Sequence, residues 1–283
     1  MKCAWQSYAN ILPTSLRKTA EQFKDTLTEI RMRMNTPVEI VTTNGTHWLQ
    51  QKTSLQEITY CINAASKYSP WAASTISSGY ITATGGHRIS ICGETVVKDG
   101  CISGIANPTS ISVRVARDFP GIANGTSKLE GSILIIGPPG AGKTTLLRDI
   151  IRQRSNTQKG CVAVMDERRE IFPFSGGVPT FDSGSCTDIL SGCRKAQGIQ
   201  ILLKNMTPRY IVVDEITSQE DCAALMDACW CGVRLICTAH AESKKDLSAR
   251  DVYRPLVEKN IFDWLVVLHS DRSWCTERMR VCC

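Results

Sequence analysis

The sequence has no apolar run near the roughly 18 to 20 residues that a membrane-spanning helix needs. Its longest apolar stretches, Cys161–Met165 and Trp264–Leu268, are only long enough for a strand. The first thirty residues also lack the apolar core that is typical of a signal peptide. We therefore expect a cytoplasmic protein without a membrane span.

Other shortages narrow the class of protein further. Gly (20 of 283 residues) and Pro (11) are not enriched and 21% of residues are charged, which excludes collagen-like, low-complexity and wholly disordered chains. The 14 cysteines form no C-x-x-C pair, so they lack the ligand spacing of a structural zinc site. We interpret them as small buried side chains in a reducing compartment.

The net charge of +6 is concentrated in the N-terminal half of the chain. Residues 1–128 contain thirteen basic and eight acidic residues, whereas residues 129–283 contain twenty and nineteen. A basic excess of this size suits nucleic acid, an acidic membrane surface or bound phosphates. An ordinary solvated surface explains it equally well.

Strand-length apolar runs alternate with helical patterns from Ser132 onward. Strands are predicted at Ser132–Ile136, Cys161–Met165, Tyr210–Val213, Arg234–Cys237 and Trp264–Leu268, and helices at Lys143–Arg154, Asp188–Lys204 and Gln219–Cys229. Continuous apolar content is typical of strands that are buried on both faces, as in a parallel sheet between helices. The sequence therefore predicts an α/β nucleotide-binding domain over residues 129–283.

The N-terminal half has mixed patterns and predicts a smaller α+β domain over residues 1–120. Helices are predicted at Ser15–Leu27 and Leu55–Ser66, and strands at Glu29–Met34, Pro37–Thr42, Thr46–Leu49, Tyr80–Ala83, Arg88–Cys92 and Ile111–Val115. Residues 121–128 follow Pro120 and are rich in turn-forming residues, so we predict a linker there.

A glycine-rich segment between a predicted strand and a predicted helix matches the phosphate-binding pattern G-x-x-x-x-G-K-[ST]. Its backbone N–H groups can surround phosphates, Lys143 can reach the β and γ oxygens, and Thr144 can ligate Mg²⁺. ATP and Mg²⁺ are therefore the expected ligands, and a chance glycine turn is the alternative. The predicted nucleotide-binding residues are Gly137, Pro138, Pro139, Gly140, Ala141, Gly142, Lys143, Thr144 and Thr145.

Acidic residues and a histidine follow three of the predicted strands, where open α/β sheets bind ligands. We predict that Asp214 binds the metal and that Glu215 polarises the attacking water; a helix-capping role is the alternative, although Ser218 suits it better. Glu167 is a candidate to assist the water or metal, or a loop acid paired with arginine. His240 is a candidate γ-phosphate sensor, or a structural histidine.

These motifs resemble the secretion-type (traffic) P-loop ATPases of the RecA/AAA-like class, which are related to the type II and type IV secretion ATPases. The resembling stretches are the phosphate loop, DERRE at 166–170, DSGSCTDIL at 182–190, KAQGIQILLKNMTPRYIVVDEI at 195–216 and TAH at 238–240. EIRMR at 29–33, GYIT at 79–82, GGHRI at 85–89 and ISVRVAR at 111–117 narrow the resemblance to the stage III sporulation protein AA family. The resemblance to this family extends over about residues 10–270.

The resemblance implies a RecA-like core with a mainly parallel sheet after a smaller α+β domain, assembled as a hexameric ring ATPase of the AAA+ type. It places the protein in the cytoplasm, peripheral to the membrane through an inner-membrane component of a sporulation channel complex. Hydrolysis would energise assembly of, or transport through, the channel between mother cell and forespore. A nucleic-acid-dependent RecA-type ATPase and a nucleotide-gated scaffold with little turnover remain open, although no specific nucleic acid is expected.

By analogy with the same ATPases, three arginines of the N-terminal half reach nucleotide phosphates: Arg88, Arg114 and Arg117. The alternative is that they are surface arginines or hold the two domains together. Two residues depart from the family pattern, since Cys186 stands where arginine is usual and Thr217 stands where glycine is usual. An arginine that acts across a subunit interface can contribute roughly 10³–10⁵ in rate, so Cys186 bears directly on turnover.

Overall fold

The computed structural model describes residues 3–66, 79–157, 161–175 and 177–279. The chain divides into two compact units. Unit 1 comprises Met1–Asp118 and Pro173–Thr180, and unit 2 comprises Phe119–Phe172 and Phe181–Cys283.

Unit 1 is built on a six-stranded antiparallel sheet with the order β3-β2-β1-β6-β5-β4. Its strands are β1 Leu27–Arg33, β2 Pro37–Thr42, β3 Gly45–Lys52, β4 Tyr80–Thr82, β5 Arg88–Lys98 and β6 Cys101–Arg114, and its described helices are α1 Trp5–Ile11, α2 Thr14–Gln22 and α3 Leu55–Ser66. A separate antiparallel pair consists of β9 Phe174–Ser175 and β10 Val178–Pro179.

One face of the unit 1 sheet is covered by the helices and the other is polar. Ile30 and Met32 on β1 belong to a buried cluster that also contains Tyr8 of α1. Arg31 lies between them in sequence, and because side chains alternate along a strand it belongs to the opposite face. There it forms an ion pair with Glu29, at 2.8 Å from Nε to Oε1.

Strands β5 and β6 are longer than the two short strands predicted, Arg88–Cys92 and Ile111–Val115. They form one hairpin that reverses at Asp99 and Gly100, both with positive φ, 52° and 75°. Asp-Gly suits this tight turn because both residues tolerate the left-handed region. That dipeptide was the available sequence signal for the hairpin.

Unit 2 has a seven-stranded sheet with the order β11-β8-β12-β13-β7-β14-β15, in which every pairing is parallel except that of β15. The strands are β7 Ile133–Ile136, β8 Val162–Asp166, β11 Thr187–Ser191, β12 Tyr210–Val213, β13 Arg234–Ala239, β14 Trp264–Leu268 and β15 Trp274–Arg278. The described helices are α4 Lys143–Thr157, α5 Lys195–Asn205, α6 Gln219–Trp230, α7 Lys244–Ala249 and α8 Arg254–Glu258.

Both faces of the central strands are buried, which explains their continuous apolar sequences. All four residues of β7 are inaccessible, as are all four of β12. Leu134 and Ile136 share a cluster with apolar residues of α5 and α6, and Ile135 between them points to the opposite face. The mainly parallel sheet predicted within residues 129–283 is confirmed.

Two of the predicted helices are wrong in part. The first residues of predicted helix Asp188–Lys204 form the edge strand β11, Gly192 then adopts a positive φ of 82°, and α5 begins only at Lys195. Edge-strand side chains are half-buried throughout, so β11 lacks the apolar run that marks the inner strands. The predicted helix Ser15–Leu27 ends at Gln22, because a turn closed by hydrogen bonds to the Phe23 carbonyl leads into β1.

The segment predicted as a linker, residues 121–128, folds as part of unit 2. Asp149 of α4 accepts hydrogen bonds from the N–H groups of Gly121 at 2.9 Å and Ala123 at 2.8 Å. A short 3₁₀ helix, Asn124–Lys128, follows. Within the described parts of the chain, no helix has the length and apolarity required to cross a membrane.

Candidate nucleotide-binding site

The parallel sheet of unit 2 brings the ends of four strands into line. Val213 at the end of β12 pairs with Met165 of β8 on one side and with Cys237 of β13 on the other. Ala239 of β13 in turn pairs with Ile136 at the end of β7. The residues that follow these strands therefore emerge at one edge of the sheet, where such folds bind their ligands.

The phosphate loop joins β7 to α4 at this edge. Gly140 and Gly142 have positive φ, 77° and 102°, and a Cβ atom at either position would meet no atom within 4 Å. Gly137 also has a positive φ, and a Cβ there would approach the Leu268 carbonyl oxygen to 2.7 Å, so the loop needs glycine for packing as well. The loop is an open concavity at a helix N-terminus, which suits phosphate binding.

Lys143, the first residue of α4, turns its ammonium back into the loop. Nζ donates to the carbonyl oxygens of Gly137 at 2.8 Å and Pro138 at 2.9 Å, and it lies 3.1 Å from Nδ1 of His240. Burial lowers the pKa of Lys143, and the charges of Asp214 and Glu215 oppose that shift. Phosphate oxygens are stronger partners for an ammonium than neutral carbonyls, so the arrangement fits a phosphate ligand.

Thr144 and Asp214 bring hard oxygen ligands together beside the loop. The Thr144 hydroxyl donates to Oδ2 of Asp214 at 2.6 Å, and the Thr238 hydroxyl donates to Oδ1. Hydroxyl and carboxylate oxygens are the protein ligands that Mg²⁺ prefers. This donor set fits the magnesium ion that the sequence predicts, with Thr144 and Asp214 as the residues that would hold it.

Glu215 has a strained backbone and a fixed side chain. Its φ of 56° lies in the left-handed region, which costs about 1–3 kcal/mol for a residue other than glycine and is typical of functional sites. Its N–H donates to the Thr238 hydroxyl at 2.7 Å. Its carboxylate is 2.8 Å from Nε2 of His240 and 3.6 Å from the Arg168 guanidinium.

His240 links Lys143 to Glu215. The Lys143 ammonium has only protons to give, so Nδ1 of His240 is the acceptor and the ring proton lies on Nε2. Nε2–H then donates to the Glu215 carboxylate. The histidine thus touches both the predicted phosphate-binding lysine and the predicted catalytic acid, as its position after β13 suggested.

Asp166, the last residue of β8, and Glu167, which follows it, make different contacts. The buried Asp166 carboxylate accepts hydrogen bonds from the backbone N–H groups of Glu170, Ile171 and Phe172 at 2.9–3.0 Å. It therefore stabilises the loop that follows β8. Glu167 instead contacts Lys195, with Oε2 at 3.1 Å from Nζ. The sequence did not indicate Lys195, because a lysine within a predicted helix carries no signal of a buried partner.

Asp166→Asn should remove a pH-dependent part of the stability. Burial raises the pKa of Asp166 to about 6, against the hydrogen bonds that lower it, whereas the unfolded value is near 3.8. The folded state binds this proton more tightly than the unfolded state, so protonation of Asp166 stabilises the fold fully below the unfolded pKa. This stabilisation is lost as pH rises through about 6. Between pH 4.5 and 6.5 we expect wild type to lose roughly 1–3 kcal/mol of unfolding free energy relative to D166N. Urea unfolding of both proteins measures this, and parallel pH curves would contradict it.

Three further residues that the sequence indicated lie close to the ends of α6 and β11. Ser218 caps α6 in a reciprocal capping box with Asp221, which confirms the capping role expected of it. Cys186 is exposed immediately before β11, and the Thr217 hydroxyl donates to Asp221 at 3.2 Å. Glycine at position 217 could not make that bond.

The three candidate arginines belong to unit 1. Arg88 and Arg114 are direct cross-strand neighbours on β5 and β6, so they share the polar face of that sheet. The Arg88 guanidinium lies 4.2 Å from the centre of the Tyr80 ring. Arg117 donates to the backbone carbonyls of Lys24 and Leu27. Their predicted contact with nucleotide phosphates remains a prediction.

Comparison with known proteins identifies the family. A family model described as "Sporulation stage III, protein AA" matches residues 4–278. Stage III sporulation protein AA of Bacillus subtilis strain 168 is 33% identical over 271 residues, which cover 90% of this chain and 88% of that protein.

Solved structures share the fold. The ATPase DotB of Legionella pneumophila has a TM-score of 0.57 at 16% identity, covering 94% of this chain and 80% of that chain. The pilus retraction motor PilT with bound ADP has a TM-score of 0.62 at 12% identity, covering 88% and 76%. At these identities the likeness concerns the fold, which is a RecA-like P-loop core with a mainly parallel sheet preceded by a smaller α+β part. Because the family model matches nearly the whole of this chain, the chain belongs to the stage III sporulation protein AA family.

Proposed function

We propose that this chain is a Mg²⁺-dependent ATP-binding and ATP-hydrolysing ring ATPase of endospore formation. The observation that carries the proposal is the cluster at the edge of the unit 2 sheet. Lys143 and Thr144 begin α4 there, and Asp214 and Glu215 follow β12, with the Thr144 hydroxyl bonded directly to Asp214. Phosphoryl transfer needs little beyond such positioning and charge neutralisation.

Each residue of the cluster has a defined part in the proposed reaction. The loop N–H groups and Lys143 bind the phosphates, and Lys143 exchanges its contacts with Gly137, Pro138 and His240 for phosphate oxygens. Thr144 and Asp214 hold Mg²⁺, which neutralises charge that develops on the phosphate oxygens. Glu215 orients and polarises the attacking water. Its carboxylate is already held by His240, so little reorganisation is needed.

His240 is proposed to report phosphate binding, because its ring contacts both Lys143 and Glu215. When Lys143 turns to a phosphate, Nδ1 of His240 loses its donor while Nε2 keeps Glu215. The ring is then ready to accept a new donor or to move, and either change is transmitted to the Glu215 carboxylate. Glu167 is proposed to assist the water or metal from the end of β8.

The proposal includes a homo-hexameric ring that docks on an inner-membrane component of a sporulation channel complex and energises its assembly or transport through it. The protein would then work in the cytoplasm at the membrane through that partner. Arg88, Arg114 and Arg117 are proposed to contact nucleotide phosphates in the assembled ring. The shared polar face of Arg88 and Arg114 supports a role toward an anion.

A second candidate is a nucleic-acid-dependent ATPase. The observation that favours it is the polar face of the unit 1 sheet, which presents Arg31, Arg33, Arg88 and Arg114 together with the ring of Tyr80. Arginines interleaved with aromatic rings suit single-stranded nucleic acid. Glu29 and Glu39 pair with Arg31 and Arg33, however, and reduce the positive charge of that face.

Steady-state phosphate release by the purified protein, with and without single-stranded DNA, separates these candidates. The transport ATPase should hydrolyse Mg-ATP with no stimulation by DNA, and its native mass should rise to that of a hexamer with nucleotide. Steep stimulation by DNA that collapses with added salt would overturn the transport function in favour of the second candidate. Binding of Mg-ATP without any turnover would leave only a nucleotide-gated scaffold.

A further inference from the structure

A buried lysine joins two loops at the edge of the unit 2 sheet. Lys195 is the first residue of α5, and only 8% of its side chain is exposed. Its Nζ lies 3.1 Å from Oε2 of Glu167, 3.3 Å from the Thr217 hydroxyl and 3.9 Å from Oδ2 of Asp221. A lysine this deeply buried is uncommon unless paired, and here one ammonium meets two carboxylates and a hydroxyl.

The two loops are the ones that carry the candidate acids. Glu167 follows β8, and Thr217 comes two residues after Glu215 in the turn between β12 and α6. That turn is anchored, since Asp221 accepts from the N–H groups of Thr217 and Ser218 and from the Thr217 hydroxyl. Lys195 therefore connects the Glu167 carboxylate to this anchored turn.

We propose that Lys195 is a positioning residue that sets the Glu167 carboxylate relative to the turn that carries Glu215. This inference rests on the proposed function, in which both acids act on the same nucleotide. Glu167 is one-third exposed and forms an ion pair with Lys195 at 3.1 Å. Without the ammonium, we expect the Glu167 carboxylate to turn toward solvent. A displacement of about 1 Å can cost up to about 10²-fold in rate.

The fold itself depends less on Lys195. Asp221 keeps three hydrogen bonds from Thr217 and Ser218 when the ammonium is removed, and methionine matches the lysine stem in length. Lys195→Met therefore removes the charge while the packing stays. Lys195→Arg keeps the charge, and Lys204→Met on the exposed last turn of α5 is a matched control.

Phosphate release and nucleotide binding are measured for wild type, K195M, K195R and K204M. We expect K195M to lower kcat by about 10–100-fold with the Kd for Mg-ATP unchanged within about threefold. K195R should recover most of kcat, and K204M should match wild type. Hydrogen exchange without nucleotide gives a readout independent of activity: amides of residues 166–170 should exchange faster in K195M and not in K195R.

A double-mutant cycle with Glu167→Gln tests whether Lys195 acts through Glu167. The proposal predicts that K195M/E167Q is no slower than E167Q alone, because the positioned group is already lost. Additive losses, or wild-type kcat in K195M, would overturn it. Absence of turnover in wild type would instead contradict the proposed function. Hydrogen exchange at residues 166–170 would then be the test of the positioning role.

Discussion

Lys143→Ala is expected to abolish nucleotide binding. The Lys143 ammonium folds back onto the phosphate loop, and alanine removes this charge from the place where the phosphates are expected to bind. Mg-ATP at about 100 times its dissociation constant should raise the free energy of unfolding of wild type by about 2.7 kcal/mol, and that of K143A by none. Thermal or urea unfolding with and without Mg-ATP measures this difference, and phosphate release should fall to background.

Lys204→Ala is the matched control, because Lys204 lies in the same unit on the exposed end of α5. It should retain the full shift with Mg-ATP. K143A should still unfold cooperatively without nucleotide, since within the described parts of the chain the Lys143 ammonium contacts loop carbonyls and His240. A full Mg-ATP shift in K143A would refute the assignment of the phosphate loop.

Glu215→Gln is expected to separate binding from hydrolysis. Glutamine has the same shape and can still accept the bond from Nε2 of His240, so the loop and the metal ligands stay in place. It cannot take a proton from water, and loss of a general base costs about 10²–10⁴ in rate. E215Q should therefore bind Mg-ATP with a Kd within about threefold of wild type while kcat falls at least about 100-fold.

A suitable control is Glu277→Gln, which makes the same chemical change on the exposed edge strand β15. It should leave both Kd and kcat unchanged. If E215Q and wild type release phosphate at the same rate, Glu215 is not the group that activates water. If E215Q loses binding as well, the strained turn at φ 56° depends on the carboxylate itself.

The RecA-like core could be predicted because its signals are local. The inner strands are buried on both faces, so β7 and β12 are continuous apolar runs, and the phosphate loop has a fixed spacing. The order of loop residues at the strand ends also follows from parallel topology. This is why Asp214, Glu215 and His240 were predicted to lie at one edge, where the structure brings them together.

Features that depend on distant partners escaped prediction. Strand β11 is stabilised by pairing with β8, which is distant in sequence, whereas its own residues predict the start of a helix. Residues Pro173–Thr180 belong to unit 1 although they lie between two segments of unit 2, which no local pattern indicates. The roles of Asp166 and Lys195 likewise depend on groups that meet only in the folded chain.

The hydrogen bonds between Lys143 and the carbonyl oxygens of its own loop bear on the proposed release of product. In the turnover cycle proposed above, the carbonyl oxygens of Gly137 and Pro138 would compete with the product phosphates for the Lys143 ammonium. Nucleotide affinity is therefore the net of two competing sets of contacts. In the proposed function these contacts would stabilise the loop after hydrolysis, so the loop itself would favour release of the product nucleotide.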